Sequence, residues 1–194
     1  MGAFRHWPLA AVLCTAALSV HAAWIPLKAE LAQLLLEQAW RRSVSGALVA
    51  RPWPWADTYP VAELQIPRLG LRQLVLDGAS GRNLAFGPTA LTPVTGVDVV
   101  LSAHRDTHFS ALRELEPGDE IMLTEHGRRR RYRVAWLDVV DSRRQELVLD
   151  GRRERLTLVT CWPFDALTAG GPMRLVVTAP VWEGRDGLSK ERNW

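Results

Sequence analysis

The sequence predicts an all-β domain, a sandwich or small closed barrel, behind an apolar N-terminal helix. Three observations lead there. Eight short runs with period-two or β-branched character succeed one another from Val61 to Ala179. Turn signals separate most of them: Pro67, Asp77-Gly78, Glu116-Pro117-Gly118-Asp119, His126-Gly127, Asp150-Gly151 and Gly170-Gly171-Pro172. Past residue 60, helical character is confined to one short piece at Phe109–Leu115. Many short strands at such spacing make a sandwich or a barrel.

The elements follow in chain order. Trp7 to Ile25 carries no ionised side chain, with Arg5 before it and Lys28 after it. As a helix rising 1.5 Å per residue it would span roughly 28 Å, about one hydrocarbon core. Trp7 and Trp24 stand near its ends, where interfacial aromatics belong. A cleaved signal peptide competes, because His21-Ala22-Ala23 offers small residues for cleavage. Helical periodicity continues past that point, which favours an uncleaved anchor. Leu27, Leu31, Leu34, Leu35 and Gln38 share one side of a helix over Leu27–Arg42, with Glu30, Gln33, Glu37 and Arg41 wet, and Gly46 ends it. Arg51–Asp57, with two prolines and two tryptophans, is an extended arm whose tryptophans pack on the domain.

The strands are expected at Val61–Ile66, Gln73–Leu76, Val97–Ala103, Glu120–Glu125, Tyr132–Val140, Leu147–Leu149, Leu156–Cys161 and Arg174–Ala179. The chain thus divides into an anchor (1–26), a helix and Pro/Trp arm (27–58), a β-domain (59–182) and a polar tail (183–194). A length of 194 residues suits one domain plus an anchor.

Composition excludes several functions. A net charge of +3, from 24 basic and 21 acidic residues, argues against a nucleic-acid partner. The basic run Arg128-Arg129-Arg130-Arg131 with Arg133 is a solvated hairpin, or a patch facing anionic lipid or envelope polymer. Of the two cysteines, Cys14 lies in the apolar segment, so Cys161 is alone in the β-domain and no intradomain disulfide is available. Two such distant cysteines build no structural zinc site. His104 and His108 have no carboxylate at a recognised metal-ligand spacing. Gly78-Ala79-Ser80-Gly81 lacks the Lys and Ser/Thr of a phosphate loop, and no Gly-x-Ser-x-Gly elbow occurs.

What remains is an inventory for acyl transfer. Cys161 ends one strand, His104 ends another, and Arg174 begins the strand after Cys161. A thiol becomes nucleophilic as thiolate, and a cation beside it favours that form. Histidine is a suitable proton partner, and arginine supplies donors and charge to an oxyanion. Each has a plainer reading: a packed cysteine, a satisfied histidine with His108 as its rival, a surface arginine.

Leu156-Thr157-Leu158-Val159-Thr160-Cys161 resembles the Thr-Leu-x-Thr-Cys signature of sortases. Ala103-His104-Arg105-Asp106-Thr107-His108-Phe109 resembles their histidine segment, with the short helix and Glu116–Asp119 turn that follow. Arg174 stands where the family's arginine follows the cysteine strand. The segments Trp53–Asp57, Gly78–Pro88 and Cys161–Asp165 look like the proteobacterial (Gram-negative) class. Ala103 departs from the Gly that many sortases have before the histidine.

The resemblance implies an all-β, eight-stranded sortase-type β-barrel with short helices, behind an N-terminal transmembrane helix. It implies a cysteine transpeptidase that cuts a Leu-Pro-x-Thr-Gly-like C-terminal sorting signal, holds it as a thioester and passes it to an amine. In that scheme Cys161 is the nucleophile, His104 the general acid/base and Arg174 the oxyanion and orienting group. Thr160, Val140 and Leu147 are candidates for lining the substrate groove. No cofactor or catalytic metal is expected. The partners are a protein bearing the sorting signal, an amine acceptor and, through the N-terminal helix, membrane lipid. The catalytic domain would face the periplasm from the inner membrane.

Overall fold

The computed structural model describes residues 7–47, 49–166, 168 and 170–183. A helix, α1 (Trp7–Val44), precedes β1 (Pro60–Ile66), β2 (Leu71–Asp77), β3 (Thr89–Ala90), β4 (Asp98–Ser102), β5 (Glu120–Glu125), β6 (Arg128–Arg133), β7 (Trp136–Asp141), β8 (Arg155–Cys161) and β9 (Met173–Pro180). The helical piece expected after the histidine segment is a 3₁₀ turn at Ser110–Glu114.

The strands form one sheet in the order β6-β5-β1-β2-β3-β4-β8-β9-β7. β6 and β7 are neighbours in sequence yet stand at its opposite edges. The chain changes partner between them: the Val134 N–H donates to the Asp119 carbonyl at 2.9 Å, and the Ala135 N–H donates to the Thr178 carbonyl at 2.9 Å. Two residues of connection force the edges together, so the sheet curls into an incompletely closed barrel. Tyr132 pairs with Val181 across the seam. Leu64, Ile66, Leu101, Phe109, Leu123, Leu156, Leu158 and Val177 fill the interior.

Three strand expectations change. The run Tyr132–Val140 is two strands, because the partner switch at 134–135 breaks it. Leu147–Leu149 is not a strand, and all three side chains are exposed in a loop. β3, two residues long and pairing parallel with β2, escapes detection because so short a run shows no periodicity. The expected eight strands become nine.

The basic run forms β6, after a hairpin in which His126 and Gly127 both adopt positive φ. Much of its charge is committed internally. Arg130 is buried against Glu125 and Glu154 and donates to the Val94 and Gly96 carbonyls. Arg131 and Arg133 lie over the Trp182 ring, at 5.1 and 3.7 Å from its centroid.

α1 joins the apolar segment and the expected second helix without interruption, with Pro26 inside it. Gly46 (φ 110°) ends it: the Ala47 N–H reaches the Arg42 carbonyl and the Gly46 N–H reaches the Ser43 carbonyl, each at 3.1 Å. The docked face is not the leucine stripe. Leu36 and Trp40 pack against Leu74, Leu76 and Phe86, while Leu27, Leu31 and Leu34 are exposed. Arg72 fixes the register by pairing with Glu37 at 3.3 Å and Glu63 at 2.5 Å. Of the arm's tryptophans, Trp53 meets Phe86 edge-on at 5.4 Å, whereas Trp55 is 81% exposed.

Among the described residues no helix is long and apolar enough to cross a membrane. The anchor expected over residues 1–26 rests largely on side chains outside the described residues, Cys14 included, as do positions 184–194 of the tail.

Candidate active site

Three adjacent strands carry the site. β4 and β8 run parallel, with Ser102 paired to Val159. The ladder persists beyond β4: the Ala103 N–H donates to the Val159 carbonyl at 3.3 Å. The buried Thr160 hydroxyl donates back to the Ala103 carbonyl at 2.8 Å. One residue further, His104 comes level with Cys161. On the other side β9 runs antiparallel to β8, and Arg174 is the direct partner of Cys161. The row across the sheet end is His104, Cys161, Arg174, from strands about 4.8 Å apart. Among the described residues no hydrogen bond joins these side chains directly. Such bonds commonly tighten only when substrate is bound.

Period two divides β8 and β9 into faces. Thr160 and Leu175, and Leu158 and Val177, are cross-strand pairs pointing into the barrel. Cys161 with Arg174, and Val159 with Val176, face outward. β7 extends that face, with Val140 opposite Arg174 and Asp138 opposite Val176. The loop after β7 closes one side. The result is an open groove of about 520 Å³, floored by Val140, Val159 and Val176 and walled by Ser142, Gln145, Glu146 and Leu147, with Arg174 and Asp138 also on its lining. Val140 and Leu147 are on the lining of this groove. Thr160 does not: at 2% exposed it faces the core and ties the cysteine strand to the histidine segment.

The groove loop is held at both ends. The Ser142 hydroxyl and N–H donate to the Pro172 carbonyl at 2.7 and 3.0 Å, next to the turn before Arg174. At the far end the Asp98 carboxylate accepts from Arg155 Nε and Nη2, at 3.0 and 2.7 Å, and from the Asp150 N–H at 2.6 Å. Arg155 also donates to the Val148 carbonyl at 2.6 Å. The Asp98 bond and charge raise the Arg155 pKa above the usual arginine value.

Arg174 is partly buried, and its Nη1 donates to the Gly171 and Met173 carbonyls at 2.6 and 2.9 Å. Its other donors make no hydrogen bond among the described residues. His104 is exposed. His108 is half-buried and turned away, with Nδ1 3.2 Å from Gln73 Oε1 on β2. Burial pushes its ring below the ordinary histidine value; a backbone bond at Ala85 opposes this and the His104 charge adds to it. Of the two histidines, the β4–β8 register carries His104 to the level of Cys161, and His108 lies against β2.

Sequence reasoning missed Val159 and Val176, although counting back two from Cys161 and forward two from Arg174 finds both. It also missed Asp98 and Arg155, whose pairing depends on a parallel register that no local pattern encodes.

The family model described as the sortase domain matches residues 64–181. Sortase D of Bacillus subtilis (strain 168) is 29% identical over 119 residues, which is 59% of this chain and 60% of that protein's length. Sortase A from Corynebacterium diphtheriae is 25% identical, with a TM-score of 0.57 over 69% of this chain and 65% of its own. The Sortase D5 transpeptidase of Clostridium perfringens, at 18% identity, shares the fold with a TM-score of 0.61 over 79% of this chain and 99% of its own. The matched span takes in every strand from β2 to β9 and all three residues of the row, and on that ground the chain belongs to the sortase family.

Proposed function

We propose that this protein is a cysteine transpeptidase that acts on a C-terminal sorting signal. The observation that carries the reading is the order β4-β8-β9, which sets His104 and Arg174 on either side of Cys161. Cys161 thiolate attacks the carbonyl carbon at the cleavage point. The peptide C–N bond breaks, and protonated His104 gives its proton to the departing amine, leaving a thioester. An incoming amine attacks the thioester, neutral His104 takes its proton, and Cys161 leaves as thiolate. The Arg174 donors that make no hydrogen bond among the described residues steady the oxyanion in both steps.

The groove beside Arg174 supports an extended peptide as substrate, with an apolar side chain of a Leu-Pro-x-Thr-Gly-like signal on the Val140–Val159–Val176 floor. The apolar segment Trp7–Ile25 supports anchoring in the inner membrane with the barrel on the periplasmic side, as in the proteobacterial class that segments 53–57, 78–88 and 161–165 resemble.

The test incubates the protein with sorting-signal peptides, with and without an added amine, and follows products and Cys161 adducts by mass spectrometry. A thioester on Cys161 that partitions to the amine supports transpeptidation. Hydrolysis alone, indifferent to amine, would make the protein a thiol hydrolase. An active Cys161→Ala variant would overturn the assignment.

A further inference from the structure

Arg105, the residue after His104, is 8% exposed. A guanidinium removed from water is costly unless its donors are met. Among the described residues this one has no carboxylate partner. Its Nη2 instead donates to two main-chain carbonyls, Ala166 at 3.0 Å and Thr168 at 3.1 Å. Both belong to the connection that leaves Cys161 and returns as the Arg174 strand. The rest of the histidine segment is held elsewhere: His108 on Gln73 of β2, and Phe109 in the core with its N–H on the His104 carbonyl at 3.0 Å. Arg105 therefore ties the His104 segment to the Cys161–Arg174 connection by hydrogen bonds, while Phe164 of that connection packs on the core and under Arg113 at 5.4 Å.

We propose that Arg105 is a positioning residue for acyl transfer, whose Nη2 fixes His104 relative to Cys161 by holding the connection after the cysteine against the histidine segment. This rests on the reading of His104 as the proton partner of Cys161. Both bonds leave the one Nη2 atom, whose two N–H directions are fixed in the guanidinium plane, so the two carbonyls are held in set directions. Lysine keeps the stem and charge but offers a point ammonium, which holds neither carbonyl in a fixed direction.

The experiment uses the full chain and Arg105→Lys, with Arg105→Gln as a second variant, below the melting transitions of all proteins compared. Two readouts are taken: the pH profile of Cys161 alkylation by iodoacetamide, with His104→Ala as reference, and kcat against KM with a sorting-signal peptide. We expect the Arg105→Lys alkylation profile to move toward that of His104→Ala. We expect kcat to fall on the order of a hundredfold, the scale of an ångström-sized misplacement, with KM nearly unchanged. Arg105→Gln should behave alike. An unchanged alkylation profile and kcat in either folded variant would overturn the proposal, as would a rise in KM alone, which would make Arg105 a substrate-wall residue. If His104→Ala itself leaves the alkylation profile unmoved, the Cys–His reading fails rather than the role of Arg105 alone.

Discussion

Cys161 and Arg174 oppose each other at a non-hydrogen-bonded pair of the β8–β9 ladder. The Trp162 N–H donates to the Met173 carbonyl at 3.0 Å, which makes the next pair out the bonded one. Non-bonded antiparallel pairs bring Cα atoms to about 4.5 Å and side chains closer than bonded pairs do. The two residues thus share one face with their Cα atoms at the closer of the two antiparallel spacings. Arg174→Lys should fold normally and lose on the order of a hundredfold in kcat, the scale of one oxyanion donor. A steady-state assay beside a thermal melt checks this, and retained kcat would exclude an oxyanion role.

Thr160 joins the two halves of the site from below. Its hydroxyl meets the Ala103 carbonyl in the core, with Thr160 2% exposed. Thr160→Val keeps the shape and orphans that carbonyl, a loss of about 1–2 kcal/mol. For a chain of this size the melting temperature should fall by roughly 2–8 °C, at about 2–4 °C per kcal/mol. Differential scanning calorimetry on both proteins decides it.

These residues show how legibility was distributed. The meeting of Cys161, His104 and Arg174 at one end of the sheet was readable because each sits at the end of a run with clear β character, and because motif and chain order agree. The inward direction of Thr160 follows from the same alternation once Cys161 is taken as outward. Arg105 was not readable, since its partners are main-chain carbonyls that carry no sequence signal. The partner switch at 134–135 was hidden because both sides of it are equally strand-like. The docked face of α1 was misassigned because Ala32, Leu36, Ala39 and Trp40 compete with a more conspicuous leucine stripe, and only β2 decides which is covered.

Asp119 links the turn before β5 to Arg68, with contacts at 2.5 and 2.7 Å, and accepts the Glu116 N–H at 2.8 Å. The Arg68 bond holds its carboxyl below the ordinary value of 3.8, against the opposing effect of burial. A depressed folded value means stability fully present above the unfolded value. That stability is lost as pH falls through the folded one. Melting temperature should therefore drop on acidification below about 4. Asp119→Asn should lower stability at neutral pH and flatten that acid limb, which melts across an acid series would read.

Leu36, 1% exposed, is the centre of α1 docking on β2. Leu36→Ala should cost about 2–5 kcal/mol through lost burial and the cavity left behind. β8 and β9, which carry Cys161 and Arg174, stand three and four places from β2 in the sheet, and the His108–Gln73 contact links β2 to the histidine segment, so kcat per folded molecule should change little. Hydrogen exchange should show faster opening of β1 and β2 before β8 and β9.

Leu147 tests the groove itself. It projects from the loop wall 44% exposed, so part of its apolar surface awaits cover. An apolar signal side chain lying between Leu147 and the Val140–Val159–Val176 floor would remove that surface from water, for about 1–1.5 kcal/mol. Leu147→Ser takes away the contact without touching the row at the sheet end. KM for a sorting-signal peptide should rise about tenfold while kcat holds, because the interaction is equal in ground and transition states. Replacing the signal's leucine by alanine should cost the wild type the same factor and the variant almost nothing. Equal losses in both proteins would place that side chain elsewhere than against Leu147.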